Sequence, residues 1–425
     1  MKINEIQRKE KVENVAVLGC DVSSERIDCY SEVSGMSVEI QIKNDTVDIE
    51  KNLDEFGRFV HDQGYENVLV VAEPSGPYGE LMFRIALQKG MNTAWVSGEA
   101  VKKTREIENN SHSKTDPIDC RAIYSLGFRG KTLAHRQFGA PYEALREWNG
   151  IYEVADKGVV RARNETVDQL KRMFPDYSFK KDFLFGNSGR ALVELYGANP
   201  YNIVSVGKSR FFTRMKNHVK GIRRDTLQRL YNQAIASAAT AKRQTTADIL
   251  ETRLRQHYED FLVHHKRKMD ARKAMCELYE KLRQFDAKLP AEIPRVVTTF
   301  YLARIVAETG PLSDFQTVKQ LFKYAGLDLQ VRQSGKFKGK TKLSKRGRTA
   351  LRKVLTFAVL PLVKKNGLYG KMYHSIKDKR EMPGAKAMTI IAKKFLKMIF
   401  GIYRSGAEYD ASRVFECHSQ HKKAA

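Results

Sequence analysis

Two short apolar runs, Val15-Ala16-Val17-Leu18-Gly19-Cys20 and Val68-Leu69-Val70-Val71-Ala72, each end on a carboxylate, Asp21 and Glu73. Runs of this length, rich in β-branched residues, read as buried strands, and Pro74 and Gly76 stop the second at once. Around them the signals alternate. β-rich segments fall at 27–30 and 38–42, a helical stretch at about 47–61, a helix at 78–88 and a short strand at 93–96. An early meander followed by strand–helix pairs predicts a mixed sheet with helices on its faces.

Asp116 and Asp119 follow Lys114-Thr115 at an expected helix start, and their spacing of three puts both on one helix face. Two strand ends and one helix turn can converge on a point. Four carboxylates gathered there would repel, since two unit charges about 4 Å apart interact by roughly 4 kcal/mol at an effective dielectric near 20. A divalent cation relieves that repulsion, and paired cations serve phosphoryl transfer by stabilising the attacking and leaving oxygens. The set is therefore the one a metal-dependent nuclease of the RNase H-like fold requires. Each acid also has a plainer reading. An Asp after an apolar run can end a strand, and Asp116 before Pro117 can be an N-cap with proline at the first helical position.

A formal net charge of +26 over 425 residues points to a polyanionic partner, although a ribosomal-type or membrane-surface protein can be as basic. The length suits about three domains. The cysteines Cys20, Cys29, Cys120, Cys276 and Cys417 are scattered without CxxC spacing, which indicates neither a disulfide framework nor a zinc site. They read as small apolar residues in a reducing cytosol. No apolar run is long enough for a membrane span, and the start Met1-Lys2-Ile3-Asn4-Glu5 lacks a signal-peptide core. The expectation is a soluble, cytoplasmic protein that touches no membrane.

The rest of the chain is expected to be mainly helical. Leu145, Trp148, Tyr152, Ala155, Val159 and Ala162 step by three and four, a coiled-coil seam pattern, and a second tract at about 246–285 carries Leu250, Leu254, Tyr258 and Phe261. The two tracts can pair antiparallel within one chain or form a dimerisation arm. Between them, 176–242 mixes Phe, Gly and Asn with Lys208, Arg210, Arg214 and Lys216 and reads as an inserted subdomain. These divisions give an α/β domain at 1–135, a helical coiled-coil region at 136–287 and a mainly helical domain at 288–425.

The last region holds the second chemical signal. Gln333-Ser334-Gly335 precedes Lys336, Lys338, Lys340, Lys342, Lys345, Arg346, Arg348, Arg352 and Lys353, with no acid before a helix expected near 349. Such a run is a phosphate-contacting or simply solvated surface. A serine beside it gains nucleophilicity if neighbouring cations hold a scissile phosphate and stabilise the charge that develops on it. On spacing alone, Ser344 and Tyr324 are rivals to Ser334.

In order along the chain, Asp21, Glu73-Pro74-Ser75-Gly76, Lys114-Thr115-Asp116-Pro117-Ile118-Asp119-Cys120-Arg121, Tyr324-Ala325-Gly326-Leu327, Gln333-Ser334-Gly335, Leu343-Ser344-Lys345-Arg346-Gly347 and Leu351-Arg352 resemble the DEDD insertion-sequence transposases of the Piv-related type, also called bridge-RNA-guided recombinases. The ending Arg404-Ser405-Gly406 with Tyr409-Asp410-Ala411-Ser412-Arg413 is similar too. The resemblance implies an N-terminal RuvC-like domain, a coiled-coil region and a C-terminal transposase domain. It places Asp21, Glu73, Asp116 and Asp119 as an acidic tetrad binding Mg²⁺, and Ser334 as the residue that attacks DNA. It further implies a structured non-coding guide RNA that pairs with donor and target DNA. The family's active site combines the carboxylates of one protomer with the serine of another, which implies a homo-oligomer, a dimer assembling to a tetramer.

The chain departs from the family in three places. Where the family carries a glycine-containing hairpin turn, Ile293-Pro294-Arg295-Val296-Val297 lacks the glycines, which speaks against a phosphate-binding hairpin there. Cys120 replaces a common alanine, and 176–242 is larger than compact members need. No GxxxxGK[ST] pattern is present, so strand exchange would conserve phosphodiester energy in a covalent link rather than use ATP. Two rival functions stand beside this one: a junction-resolving endonuclease that uses the tetrad alone, and a non-catalytic RNA- or DNA-binding protein.

Overall fold

The structure of the protein, a computed structural model, describes residues 14–410 apart from 75, 110–115, 241–243, 331–332, 335–336, 339–341, 365–366, 368 and 380. The chain forms two compact units, residues 1–137 and 138–425.

The first unit is built on a six-stranded mixed sheet. Its strands are β1 (Val15–Val22), β2 (Arg26–Val33), β3 (Met36–Lys43), β4 (Asn67–Ala72), β5 (Asn92–Trp95) and β6 (Leu133–Ala134), in the spatial order β3-β2-β1-β4-β5-β6. β1, β2 and β3 form an antiparallel meander, whereas β1-β4 and β4-β5 are parallel and need helical crossovers. The first crossover is α1 (Thr46–Asp62), capped by Asp45, whose carboxylate accepts from the Asp48 amide at 2.9 Å. Ile49, Leu53, Phe56 and Val60 recur at helical spacing and bury one stripe of α1 against the sheet. α2 (Tyr78–Gln88) joins it on that side through Met82, Phe83, Ile85 and Ala86. Each such large side chain, fully buried, contributes about 1.5–3 kcal/mol.

The other sheet face is covered by α3 (Gly98–Asn109) and α4 (Asp116–Phe128), with Val101, Cys120, Ala122, Ile123 and Leu126 packed on Val17, Leu69 and Val71. α4 lies unusually close to β1. A Cβ at Gly19 would stand 2.4 Å from the Tyr124 nitrogen and 2.6 Å from the Cys120 oxygen, so only glycine lets the helix backbone rest on the strand.

The second unit is helical apart from short strand pairs. α5 (Ala140–Met173) leads into α6 (Lys181–Leu184), α7 (Asn187–Tyr196), α8 (Pro200–Ser205), α9 (Lys208–His218) and α10 (Arg224–Thr240), and α11 (Gln244–Phe285) returns beside α5. The pairing is antiparallel, as the Asp156–Lys268 ion pair at 2.7 Å and the Glu165–His257 contact at 3.4 Å show. Leu145, Tyr152, Ala155, Val159 and Ala162 are buried as the spacing predicts. Trp148 is not: it is 36% exposed, and Asn149 takes the buried place beside it. α6 to α10 have a core of their own, around Tyr196, Phe211, Leu227 and Leu230.

The C-terminal helices are α12 (Thr299–Thr309), α13 (Val318–Ala325), α14 (Thr349–Val359), α15 (Gly370–Lys379) and α16 (Gly384–Ser405). They share one core with the near ends of α5 and α11, through Leu145, Tyr152, Met275 and Tyr279. Among the described residues no helix is long and apolar enough to cross a membrane.

Candidate active site

The period of two in a strand decides which side chains face α4. On β1, Ala16, Leu18, Cys20 and Val22 enter the core under α1, so Val17, Gly19 and Asp21 face α3 and α4. β4 pairs with β1 in parallel, with Cys20 opposite Ala72. The next residues on each, Asp21 and Glu73, therefore stand side by side on the α4 face. α4 opens at Asp116 and brings Asp119, buried to 6% exposure, to the same face; the Asp116 side chain lies outside the described residues. A further carboxylate joins them. Asp28 is the register partner of Asp21 across β1-β2, and it accepts from Arg26 Nε at 3.1 Å and Gln41 Nε2 at 2.9 Å.

Cys120 reports the electrostatics of this face. Burial pushes its thiol up to about 12, with Cys29, Asp28 and Asp21 adding to the shift. Three of the scattered cysteines, Cys20, Cys29 and Cys120, thus lie in the first unit's core, and the Cys20 and Cys29 sulfurs lie 3.5 Å apart on the opposite side of the sheet, both as free thiols.

Two of the carboxylates are engaged by α3. Arg105 Nη1 donates to Asp119 Oδ1 at 2.6 Å, with both side chains nearly buried. At the start of the same helix, a Cβ on Gly98 would fall 2.2 Å from Glu73 Oε1, so the Glu73 carboxylate rests directly on the glycine. Among the described residues, no three His, Cys, Asp or Glu side chains are drawn close enough to hold a metal ion.

In the second unit the serine segment is a β-ribbon. β7 (Leu329–Gln330) pairs antiparallel with β10 (Lys342–Leu343) at its base, and β8 (Gln333–Ser334) with β9 (Phe337–Lys338) farther out, where Ser334 opposes Phe337. Gly335, Lys336 and Lys340 lie outside the described residues, as do the side chains of Ser334, Lys338 and Lys342. The base is pinned by Ser344, whose amide donates to the Asp328 carbonyl at 2.9 Å and whose hydroxyl donates to the Asp328 carboxylate. Tyr324 donates its hydroxyl to the Glu308 carbonyl at 2.9 Å. Both rival nucleophiles therefore have structural partners.

The basic run after the ribbon divides in two. Lys345 and Arg346 are exposed. Arg348 and Arg352 turn inward: Arg348 Nε donates to Glu308 Oε2 at 2.6 Å, and Arg352 Nη1 donates to the Ala325 carbonyl at 2.9 Å. Glu308, 3% exposed, also accepts from Asn149 Nδ2 at 2.6 Å. Arg304 donates to Asn149 Oδ1 at 2.9 Å and pairs with Glu153, which also takes Lys353, while Arg146 donates to the Ala307 and Glu308 carbonyls. This buried network ties α5 to α12 and to the start of α14.

The missing glycines at 293–297 do not prevent a turn. The Val297 amide donates to the Ile293 carbonyl and the Ile293 amide to the Val297 carbonyl, both at 2.9 Å. Arg295 adopts the left-handed conformation, φ 64°, that a glycine would take at less cost.

Comparison with protein families matches residues 291–374 to the transposase IS116/IS110/IS902 family, and residues 18–175 to a transposase domain of the DEDD, IS110 type. The chain carries IS110-family transposase domains. It is an enzyme that acts on DNA as a transposase or recombinase. A comparison with curated proteins gives no match. The first match covers the serine ribbon and the second covers all four predicted acids. A DEDD domain implies dependence on a divalent metal. In kind the donors fit one, since carboxylate oxygens borne on one sheet face by β1, the end of β4 and α4 suit a hard cation, but the described side chains are not drawn together around one.

The sequence reading missed Asp28, Arg105, Glu153 and Glu308. Asp28 was within reach, because counting back from the turn after Asp21 sets the two residues opposite each other. Glu308 carries a signal too, as an acid at the end of a stretch, Phe300 to Ala307, that is apolar but for Arg304. Arg105 carries none; only the packing of α3 on α4 joins it to Asp119. Lys114-Thr115 and Ala411-Ser412-Arg413, which contribute to the resemblance, lie outside the described residues.

Proposed function

We propose that the enzyme is an RNA-guided DNA recombinase of an insertion sequence, in which Ser334 forms a covalent link to DNA and Asp21, Glu73, Asp116 and Asp119 hold Mg²⁺. The observation that carries this reading is the placement of Asp21, Glu73 and Asp119 on one sheet face, in a chain whose other family match contains an exposed basic turn and a serine-bearing ribbon.

The chemistry assigned to Ser334 is a transesterification. Its hydroxyl loses a proton as Oγ bonds to phosphorus, and the phosphodiester bond to one deoxyribose oxygen breaks, leaving a sugar hydroxyl that takes up a proton. Bond energy is conserved in the phosphoserine ester, and attack by a hydroxyl of another strand reverses the step. Bound metal would act as a Lewis acid on the scissile phosphate. Lys345 and Arg346 bind phosphate, and the lysines at 336, 338, 340 and 342 add positive charge to the same stretch of sequence. A guide RNA would supply sequence choice, consistent with the chain's charge of +26. Assembly as a homo-oligomer, a dimer building to a tetramer, would supply acids and serine from different protomers. The division at 1–135, 136–287 and 288–425, with 176–242 as an insertion, belongs to the same reading.

Ser334 takes this role from the family resemblance and from its place before the cationic run. Ser344 is held by Asp328 and Tyr324 by a main-chain carbonyl, so both serve the fold around the ribbon. The test incubates the full chain with guide RNA, Mg²⁺ and a nicked suicide substrate and looks for DNA-linked protein on a denaturing gel. Ser334→Ala should lose adducts and recombination while keeping RNA and DNA binding. Adducts that persist in Ser334→Ala but vanish in Ser344→Ala or Tyr324→Phe would reassign the nucleophile. Cleavage by the unaltered enzyme without any adduct would favour a hydrolytic endonuclease.

A further inference from the structure

α3 touches the acidic face twice, through Gly98 against the Glu73 carboxylate and through Arg105 on Asp119. Its N-terminal turn directs the positive end of the helix dipole toward Glu73, and seven residues later it delivers a full positive charge to Asp119. The Arg105–Asp119 pair is nearly dry, with side chains 11% and 9% exposed. A guanidinium so placed neutralises the carboxylate that a divalent cation would need. We propose that Arg105 is a built-in competitor for the metal: a cation reaching Asp119 must displace the Arg105 guanidinium, and α3 thereby sets the metal affinity of the acidic face. This rests on the reading of Asp21, Glu73 and Asp119 as a metal site.

Two consequences separate this from a merely structural ion pair. A structural pair stabilises the fold and leaves metal affinity alone. A competitor, when removed, leaves a carboxylate uncompensated, and by linkage the metal then gains what Arg105 had supplied. The guanidinium released from Asp119 also becomes available to a phosphate oxygen, for which its planar fork is well suited.

The test measures Mn²⁺ binding to the full chain by electron paramagnetic resonance of free Mn²⁺, with no DNA present, so the readout does not depend on activity. Arg105→Met should bind Mn²⁺ about tenfold more tightly, a cautious expectation for removing one competing charge in a partly buried site. Its melting temperature should rise more on addition of Mn²⁺ than that of the unaltered chain. Arg105→Lys keeps the charge but not the fork and should fall between them, which preserves the test if Arg105→Met does not fold. Asp119→Asn should weaken binding and cancel the effect of Arg105→Met in the double variant. Equal dissociation constants for the unaltered chain, Arg105→Met and Arg105→Lys, with Asp119→Asn clearly weaker, would overturn the competition and keep the metal site. Saturable binding by none of them would remove the metal site and the competition with it.

Discussion

The acidic face of the first unit and the polar network of the second solve opposite problems. On the acidic face, carboxylates predominate: Asp21, Asp28, Glu73 and Asp119 lie on one side of the sheet, with Arg26 paired to Asp28 and Arg105 to Asp119. In the network, cations are in excess: Arg146, Arg304, Arg348 and Lys353 gather around Glu153 and Glu308. Burial and the nearby Arg348 lower the pKa of Arg146, as such crowding requires. A region dominated by one sign of charge attracts a partner of the opposite sign. The acidic face keeps its excess of one sign open to a cation, whereas the network spends its excess on main-chain carbonyls and on the tie between helices.

The first prediction bears on the acidic side and carries the largest effect. Asp21→Asn and Asp119→Asn each remove one charge from the proposed metal site with little change in size, so strand cleavage should fall by roughly a thousandfold in both, as loss of several kcal/mol of Lewis-acid stabilisation entails, while Asp119→Asn, which also breaks the Arg105 pair, should lower the melting temperature more than Asp21→Asn. Circular dichroism melting checks the fold, and a labelled-substrate gel in Mg²⁺ checks cleavage. Full cleavage by both variants would mean that the negative charge of this face has no metal to meet.

How far each region could be read in advance follows from the range of its contacts. Asp21 and Glu73 were legible because a strand's period of two and its end are written in consecutive residues, and Asp116 and Asp119 because a helix start is as local. Ser334 was legible only as a serine before a cationic run; that the run divides, with Lys345 and Arg346 outward and Arg348 and Arg352 inward, depends on Glu308 and on the Ala325 carbonyl far back in the chain. Burial along α5 was read correctly at Leu145, Tyr152, Ala155, Val159 and Ala162 but wrongly at Trp148. Periodicity selects the large apolar residue, whereas the fold buries Asn149 because Arg304 and Glu308 satisfy its amide. The turn at Arg295 fails the rule for a similar reason: the flanking amide-to-carbonyl bonds between Ile293 and Val297 impose a conformation that the residue itself does not favour.

The second prediction takes the network from the side of its minority charge. Glu308 is nearly fully buried and accepts from both Arg348 and Asn149, so Glu308→Ala leaves two donors without their acceptor and should cost about 3 kcal/mol, at the low end for breaking a buried pair because Arg348 is partly exposed. Glu308→Gln keeps a hydrogen-bond acceptor and should cost less. Urea denaturation of the full chain measures both. A cost below about 1 kcal/mol for Glu308→Ala would place the network among surface ion pairs of little consequence.

The smallest effect expected is also the one that separates exposed cations from cations held against a buried carboxylate or main-chain carbonyls. Lys345 and Arg346 are exposed at the foot of the ribbon, whereas Arg348 and Arg352 are engaged by Glu308 and by main-chain carbonyls. Removing one phosphate-binding side chain should lower the log–log salt slope of DNA or RNA binding by about 0.7–0.9, so Lys345→Ala with Arg346→Ala should lower it by about 1.5. The effect should be the same for unrelated sequences, because groups that bind phosphate position a duplex without reading it. Arg348→Ala should leave the slope nearly unchanged and instead lower the denaturation midpoint, since its charge is already balanced by Glu308. A filter-binding titration across a range of salt concentrations decides the matter. If Arg348→Ala moves the slope as much as the Lys345 and Arg346 pair does, the Glu308 ion pair yields to nucleic acid on binding, and the network belongs to the binding surface rather than to the frame beneath it.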